Sequence, residues 1–279
     1  MVKITVRRIL LFSFSLATLL ASEATLWADA QIKIEGPVAA QTFSLKDLKK
    51  RLPLASLTLY DPLYKTQKTY EGFWLADVLK LAQAFPEASK LETDHHEIIF
   101  RCQDGYSPTT LLANLKSHQA LLAFRDKGAP KGQTWQTFTQ GKAQMTPGPF
   151  YLVWDVKGEA YPWPYQLVSM EIINFSEKFS KIFPADVDKN SSELRGFRIF
   201  KDDCLRCHSI NLQGGVLGPE LNTPKNILEY WSKSTLKEFI KSPESFRARS
   251  KMPAFEKMTS TQMDDLMSYL EWAKAHKKN

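Results

Sequence analysis

Near the end of the chain stands the run Cys204-Leu205-Arg206-Cys207-His208, and no other feature constrains the fold as tightly. Two thiols three residues apart, followed at once by an imidazole, make the attachment site of a c-type haem. The spacing has a chemical reason. On a helical turn residues i and i+3 share a face, so both sulfurs reach the edge of one porphyrin. His208, next in line, then brings a ring nitrogen to the iron. A zinc site would need two further ligands close by. With three cysteines and five histidines in 279 residues, no second Cys-x-x-Cys or His pair supplies them. A thioredoxin-like redox pair would follow a strand-rich segment, and none precedes this run.

Downstream come Gly218-Pro219-Glu220-Leu221, then Lys251-Met252-Pro253-Ala254-Phe255, then a closing amphipathic stretch. Upstream, Gly196 and Phe200 lie on a predicted helix that ends at the haem cysteines. Together these residues resemble a class I c-type cytochrome domain over residues 192–279. The resemblance implies an all-α domain with one covalently bound haem c, held through Cys204 and Cys207. It also implies that the Pro219 carbonyl accepts the second ring N–H of His208, which fixes the tautomer and raises ligand basicity. Met252 is then the sixth ligand, and a His/Met pair favours the reduced iron and raises the potential.

Met258, Met263, Met267 and His276 are the rivals of Met252 for that place. Met263 and Met267 stand at i and i+4 on a stripe with Leu266 and Leu270, where methionine packs as core. Met252 precedes a proline in a non-periodic loop after the basic stretch from Arg247 to Lys251, and His276 lies in a Lys-rich tail. Ser192 is the expected N-cap of the helix before the cysteines, with Glu193 favourable in its first turn. Leu194, Phe197, Phe200 and Cys204 fall near one face of that helix. The last helix opens on Thr259-Ser260-Thr261-Gln262, a capping-box pattern. In cytochromes of this class the first and last helices cross at a glycine and pack through aromatics, for which Gly196, Phe200 and Tyr269 are the matching residues.

Residues 1–30 read as a secretory signal peptide. Lys3, Arg7 and Arg8 form the charged region, Ile9 to Ala21 an apolar run too short for a confident membrane span, and Ala28-Asp29-Ala30 a small-x-small cleavage site. An uncleaved segment would instead anchor the chain to a membrane. Export agrees with the haem run, since the resemblance implies attachment outside the cytoplasmic membrane, and a bacterial periplasm is the expected address. With two thiols committed to haem, Cys102 has no partner for an intramolecular disulfide and is expected as a buried free thiol. The chain carries +7; the signal holds three cations and two anions, so its removal leaves +6. No Lys/Arg block interleaved with aromatics suggests nucleic acid. The charge serves either plain solubility or docking with an acidic redox partner or membrane surface.

Residues 31–182 are of another kind. Ile32-Lys33-Ile34 alternates, as does Phe43 with Leu45, and strands are expected at 57–60, 98–102, 150–154 and 167–173. Helices are expected over 44–52, 75–85 and 111–118, which makes the class α+β. An irregular linker, 183–191, follows. His95-His96-Glu97 reads as a solvated loop rather than a metal site. Trp154, Tyr161, Trp163 and Tyr165, interrupted by Pro162 and Pro164, read as core or interface packing, with a docking surface over the haem edge as the alternative. Tyr70-Glu71-Gly72-Phe73-Trp74-Leu75-Ala76-Asp77-Val78-Leu79, Asp104-Gly105-Tyr106-Ser107, Leu121-Leu122-Ala123-Phe124 and Tyr165 to Glu171 resemble the molybdopterin-binding domain of the sulfite oxidase family. The resemblance implies a metal-ligating cysteine before the first of these phrases. The stretch Leu57 to Lys68 has none, so the domain is expected to be cofactor-free, with Cys102 no molybdenum ligand.

These readings lead to a periplasmic monohaem cytochrome that shuttles single electrons between redox partner proteins, its front domain a docking or structural module. Two alternatives stay open. One is an oxidoreductase whose front domain oxidises a small substrate and passes electrons to its own haem. The other is a haem-based sensor.

Overall fold

A computed structural model describes residues 27, 29–37, 39–83, 96–140, 143–156 and 161–278. The front part is built from two sheets. The first joins β1 (Gln31–Glu35), β2 (Ala40–Ser44), β5 (His96–Cys102), β6 (Thr109–Leu111) and β11 (Leu167–Asn174) in the order β2-β1-β11-β5-β6. The second joins β3 (Ala55–Asp61), β4 (Thr66–Trp74), β7 (Ala120–Asp126) and β10 (Tyr151–Trp154) in the order β10-β7-β4-β3. A small hairpin, β8 (Phe138–Gln140) and β9 (Ala143–Met145), stands apart. The β1–β11 pair is parallel, with Ile34 opposite Met170. Every other pair in the two larger sheets is antiparallel.

Side chains alternate across a strand, and here each face has its own cover. Ile98 and Phe100 of β5, Ile172 of β11, and Leu122, Phe124, Leu152 and Trp154 of the second sheet meet in one core between the sheets. Helices α1 (Leu45–Arg51) and α2 (Leu75–Leu81) complete it through Leu45, Leu48, Leu75, Val78 and Leu79. The odd residues of the second sheet, Leu121, Ala123, Tyr151 and Val153, pack outward with Leu59, Tyr70 and Trp135. Ile99 and Ile173 point the other way and join a third core with the helices of the C-terminal part. The front domain is therefore covered on one face by the rest of the chain.

The expected elements shift at their edges. Ser44 is the N-cap of α1, in a capping box with Asp47. The helix expected over 75–85 ends at Leu81, and the one over 111–118 shrinks to α3 (Asn114–Ser117), because Leu111 still belongs to β6. β4 and β7 were not expected as strands; β7 is buried almost throughout, and the inward row of β4 is Lys68, Tyr70 and Gly72, which reads as no apolar alternation in sequence. His96 and Glu97 correct the solvated-loop reading, since both lie in β5 and Glu97 is buried; His95 is outside the described residues. The segment 1–30, read as a signal peptide, also lies mostly outside them. Of its end, Trp27 packs on the outer cluster of the second sheet, and the Ala30 carbonyl accepts the Leu45 N–H at 2.8 Å. No helix among the described residues is long and apolar enough to cross a membrane.

After α4 (Phe175–Lys178) the segment 183–191 forms no strand or helix, as expected of a linker, but it is not free. Phe183 and Val187 pack on the third core, and Asp186 accepts the Trp272 indole N–H at 3.0 Å. The C-terminal part then runs α5 (Ser192–Ile199), a π-helical turn at Phe200–Cys204, a two-residue pair β12 (Ser209–Ile210) and β13 (Gln213–Gly214), and helices α6 (Ile227–Tyr230), α7 (Lys233–Lys241), α8 (Pro243–Phe246) and α9 (Ser260–Ala275). It is helical apart from that short pair. The N-cap of α5 is Ser191, not Ser192: its backbone is extended and its hydroxyl accepts the Leu194 N–H.

Candidate functional site

The haem run is placed by the crossing of α5 and α9. At Gly196 the two helices touch, and a Cβ there would fall 2.6 Å from the Asp265 carbonyl carbon and 2.8 Å from Tyr269 Cβ. Only glycine permits this approach. Phe197 and Phe200 then close on the Tyr269 ring, with centroids 5.5 and 5.3 Å away. Arg195 clamps Asp265 through two nitrogens at 2.8 and 2.7 Å. The capping box expected at Thr259 and Gln262 is present.

Past Ile199 the helix widens. The Leu205 N–H bonds the Phe200 carbonyl five residues back at 2.8 Å, a π turn of the sort found at functional sites. Cys207 and His208 N–H then both donate to the Cys204 carbonyl, at 3.0 and 2.9 Å. The loop is held from the far side as well, where Gly215 N–H reaches Leu205 and His208 carbonyls and Gly218 N–H donates to Cys207 at 2.7 Å.

His208 Nδ1 lies 2.8 Å from the Pro219 carbonyl. A carbonyl only accepts, so Nδ1 carries the proton and Nε2 keeps a free lone pair. The ring rests on Gly218, where a Cβ would sit 2.5 Å from Cε1. Burial pushes the imidazole below its ordinary range, against the opposing bond to Pro219. Neutral imidazole is the form that ligates metal. Burial raises both thiols, Cys204 to about 12, so neither is a thiolate at neutral pH and the pair is not poised as a reactive dithiol.

Cys204, Cys207, His208 and Met252 all line one cavity of about 1210 Å³. Leu236, Phe239, Ile240, Phe255, Leu266 and Leu270 form its apolar wall. Two thiols, an imidazole with a free Nε2 and a thioether on one apolar cavity are the donor set a covalently bound haem requires, so the residues fit that group. Among the described methionines Met252 alone is on the lining. Met263 and Met267 are buried in the third core, and Met258 packs against it from the side. Both ring nitrogens of His276 are engaged elsewhere, Nδ1 with the Trp272 carbonyl at 2.7 Å and Nε2 with Asp186 at 3.1 Å.

Several contributors carry no mark in the sequence. Asn211, Asn222 and Asn226, all fully buried, form a ladder: Asn226 Nδ2 donates to Asn222, and Asn222 Nδ2 to Asn211, each at 2.7 Å. The ladder also caps carbonyls of the last helix at Leu270, Ala273 and His276. Glu220 accepts four backbone N–H groups, from Asn211, Leu212, Asn222 and Thr223. Its position beside Pro219 was the only signal. The cavity continues into the front domain, where Trp163 and Tyr165 line it, in keeping with the alternative reading of that cluster, and Cys102, Asp104 and Tyr106, which were not expected there, line it too. Trp154 is core, stacked on Tyr161 at 4.7 Å, so the aromatic cluster is partly core and partly cavity wall.

No curated protein matches the chain. Residues 194–274 match the family model described as Cytochrome c, over the helices, haem run and Met252 loop just described, and this part of the chain is a cytochrome c domain of an electron-transfer haem protein.

Proposed function

We propose that the chain is an exported, periplasmic monohaem cytochrome that carries single electrons between redox proteins, with its front domain a docking or structural module. Cys204 and Cys207 hold one haem covalently, and His208 and Met252 are its axial ligands. The bound haem supplies the one-electron couple. The protein's own part is to orient His208 through Pro219, to exclude water with an apolar wall and to present the Met252 thioether. The observation that carries this reading is the meeting of those four donors on one apolar cavity.

The finer likeness of the front domain to a molybdopterin-binding fold remains part of the proposal. The α+β make-up agrees with it, while the β3–β4 hairpin, whose Pro62 and Leu63 reach the cavity, lacks the cysteine such a fold would carry there. Cys102 is buried and its thiol is pushed well up by burial and by nearby Asp104, which suits a packed thiol better than a soft metal ligand. The extension of the cavity into this domain favours a second reading, an oxidoreductase that feeds its own haem. Holoprotein matured in a competent host should keep its colour through denaturation and acid-acetone extraction. It should contain one iron per chain and no molybdenum. Colour passing into the organic phase would sink the covalent reading, and stoichiometric molybdenum would promote the oxidoreductase.

A further inference from the structure

The turn that follows β5 has no part in ligation, yet it is built onto the haem-attachment loop. Asp104 closes it by accepting the Tyr106 N–H at 2.9 Å, Gly105 N–H donates to the Cys102 carbonyl at 3.1 Å, and Cys102 N–H to Tyr106 at 3.0 Å. Two backbone hydrogen bonds cross from this turn to the cytochrome domain. Ser107 N–H donates to the Arg206 carbonyl at 2.8 Å, and Val216 N–H to the Gly105 carbonyl at 3.3 Å. The Arg206 guanidinium lies near enough to the Tyr106 hydroxyl to act on it electrostatically. Arg206 is one of the two residues between the haem cysteines. Gly105 has φ +89°, which strains any residue with a side chain, and a Cβ there would also lie 2.6 Å from Val216 Cγ2. Behind the turn the two domains are locked by the buried Glu97, paired with Lys201 of the π turn. Cys102, Asp104 and Tyr106 line the same cavity as Cys204 and Cys207.

We propose that the Asp104–Ser107 turn is a built-in cover for the attachment-loop side of the haem pocket, with Gly105 and Tyr106 as positioning residues that act through Val216 and Arg206. The inference rests on the haem reading above. The cover holds the loop between the two cysteines in one geometry and keeps water from that side. Burial and low dielectric around a haem raise its potential, so part of the potential of this cytochrome is set by a separate domain.

The test uses the full-length holoprotein and the variants Tyr106→Phe, Tyr106→Ala and Gly105→Val. Amide exchange at Ser107 and Val216 should quicken by about tenfold or more in Tyr106→Ala and Gly105→Val. The midpoint potential should fall in both, and by less in Tyr106→Phe, which keeps the ring and loses only the hydroxyl facing Arg206. Haem should stay attached on extraction in every case. Faster exchange with an unchanged potential would overturn the proposal, since the turn would then open without exposing the haem. Unaltered exchange at both amides in Tyr106→Ala would overturn it too, because these contacts would not be what holds the turn. Failure of the haem reading itself would show separately, as haem lost from the unsubstituted protein on extraction.

Discussion

At the scale of single residues the site divides into groups that spacing announces and groups that only the folded chain brings together. Cys204, Cys207 and His208 are contiguous, and Pro219 follows within a short loop, so their relation is local and readable. Met252, the proposed sixth ligand, is distant, and its place on the cavity wall, while Met263 and Met267 fill the core, is what favours it. A thioether on ferric iron gives a weak near-infrared charge-transfer band. Met252→Ala should abolish that band and lower the potential, and Met252→His should restore a six-coordinate low-spin iron at lower potential. An unchanged spectrum in Met252→Ala would point to another ligand. The Asn211–Asn222–Asn226 ladder was invisible beforehand because a buried asparagine in a non-periodic stretch looks like any turn residue. Its worth lies in tying the loop at Asn211 to the end of α9, where its amides reach the Leu270 and Ala273 carbonyls.

At the scale of elements the α5–α9 crossing is the axis of the cytochrome domain. Gly196→Ala drives a methyl group into the Asp265 backbone, and the helices must part to admit it. The expected cost is about 3 kcal/mol or more, the upper end for overpacking, read as a lower denaturation midpoint with an unchanged slope. A loss under about 0.5 kcal/mol, the size usual for a surface change, would show that the crossing is loose. The apolar spacing of both helices and the capping box at Thr259 made this element pair legible. The π turn was not, because periodicity assumes a regular helix, and the wider turn at Phe200–Cys204 alters the register just before the cysteines. In the front domain β5 and β11 were legible as apolar strands. The sequence pattern could not say that their two faces serve two different cores, since a strand buried on both sides looks the same whatever covers it.

At the scale of the whole molecule the domains are joined by a shared core and by one buried ion pair. Glu97 is almost wholly buried and Lys201 is its partner, with the Lys201 ammonium also 4.2 Å from the Phe175 ring centre. Removing one member leaves a charge without compensation. Lys201→Ala should cost about 3 kcal/mol, and adding Glu97→Gln should return much of it; a double-mutant cycle in urea or heat reads both. Equal losses in the single and double variants would mean that the pair does not bridge the domains. The shared core has a further consequence for how the protein is made. The front domain leaves the ribosome first, and its outward row of Ile99, Ile173 and Phe175 has no cover until the last helices arrive and close over it. Until those helices dock, the chain therefore exposes an apolar strip, and that interval is when it is most open to proteases, to misassembly and to capture by chaperones.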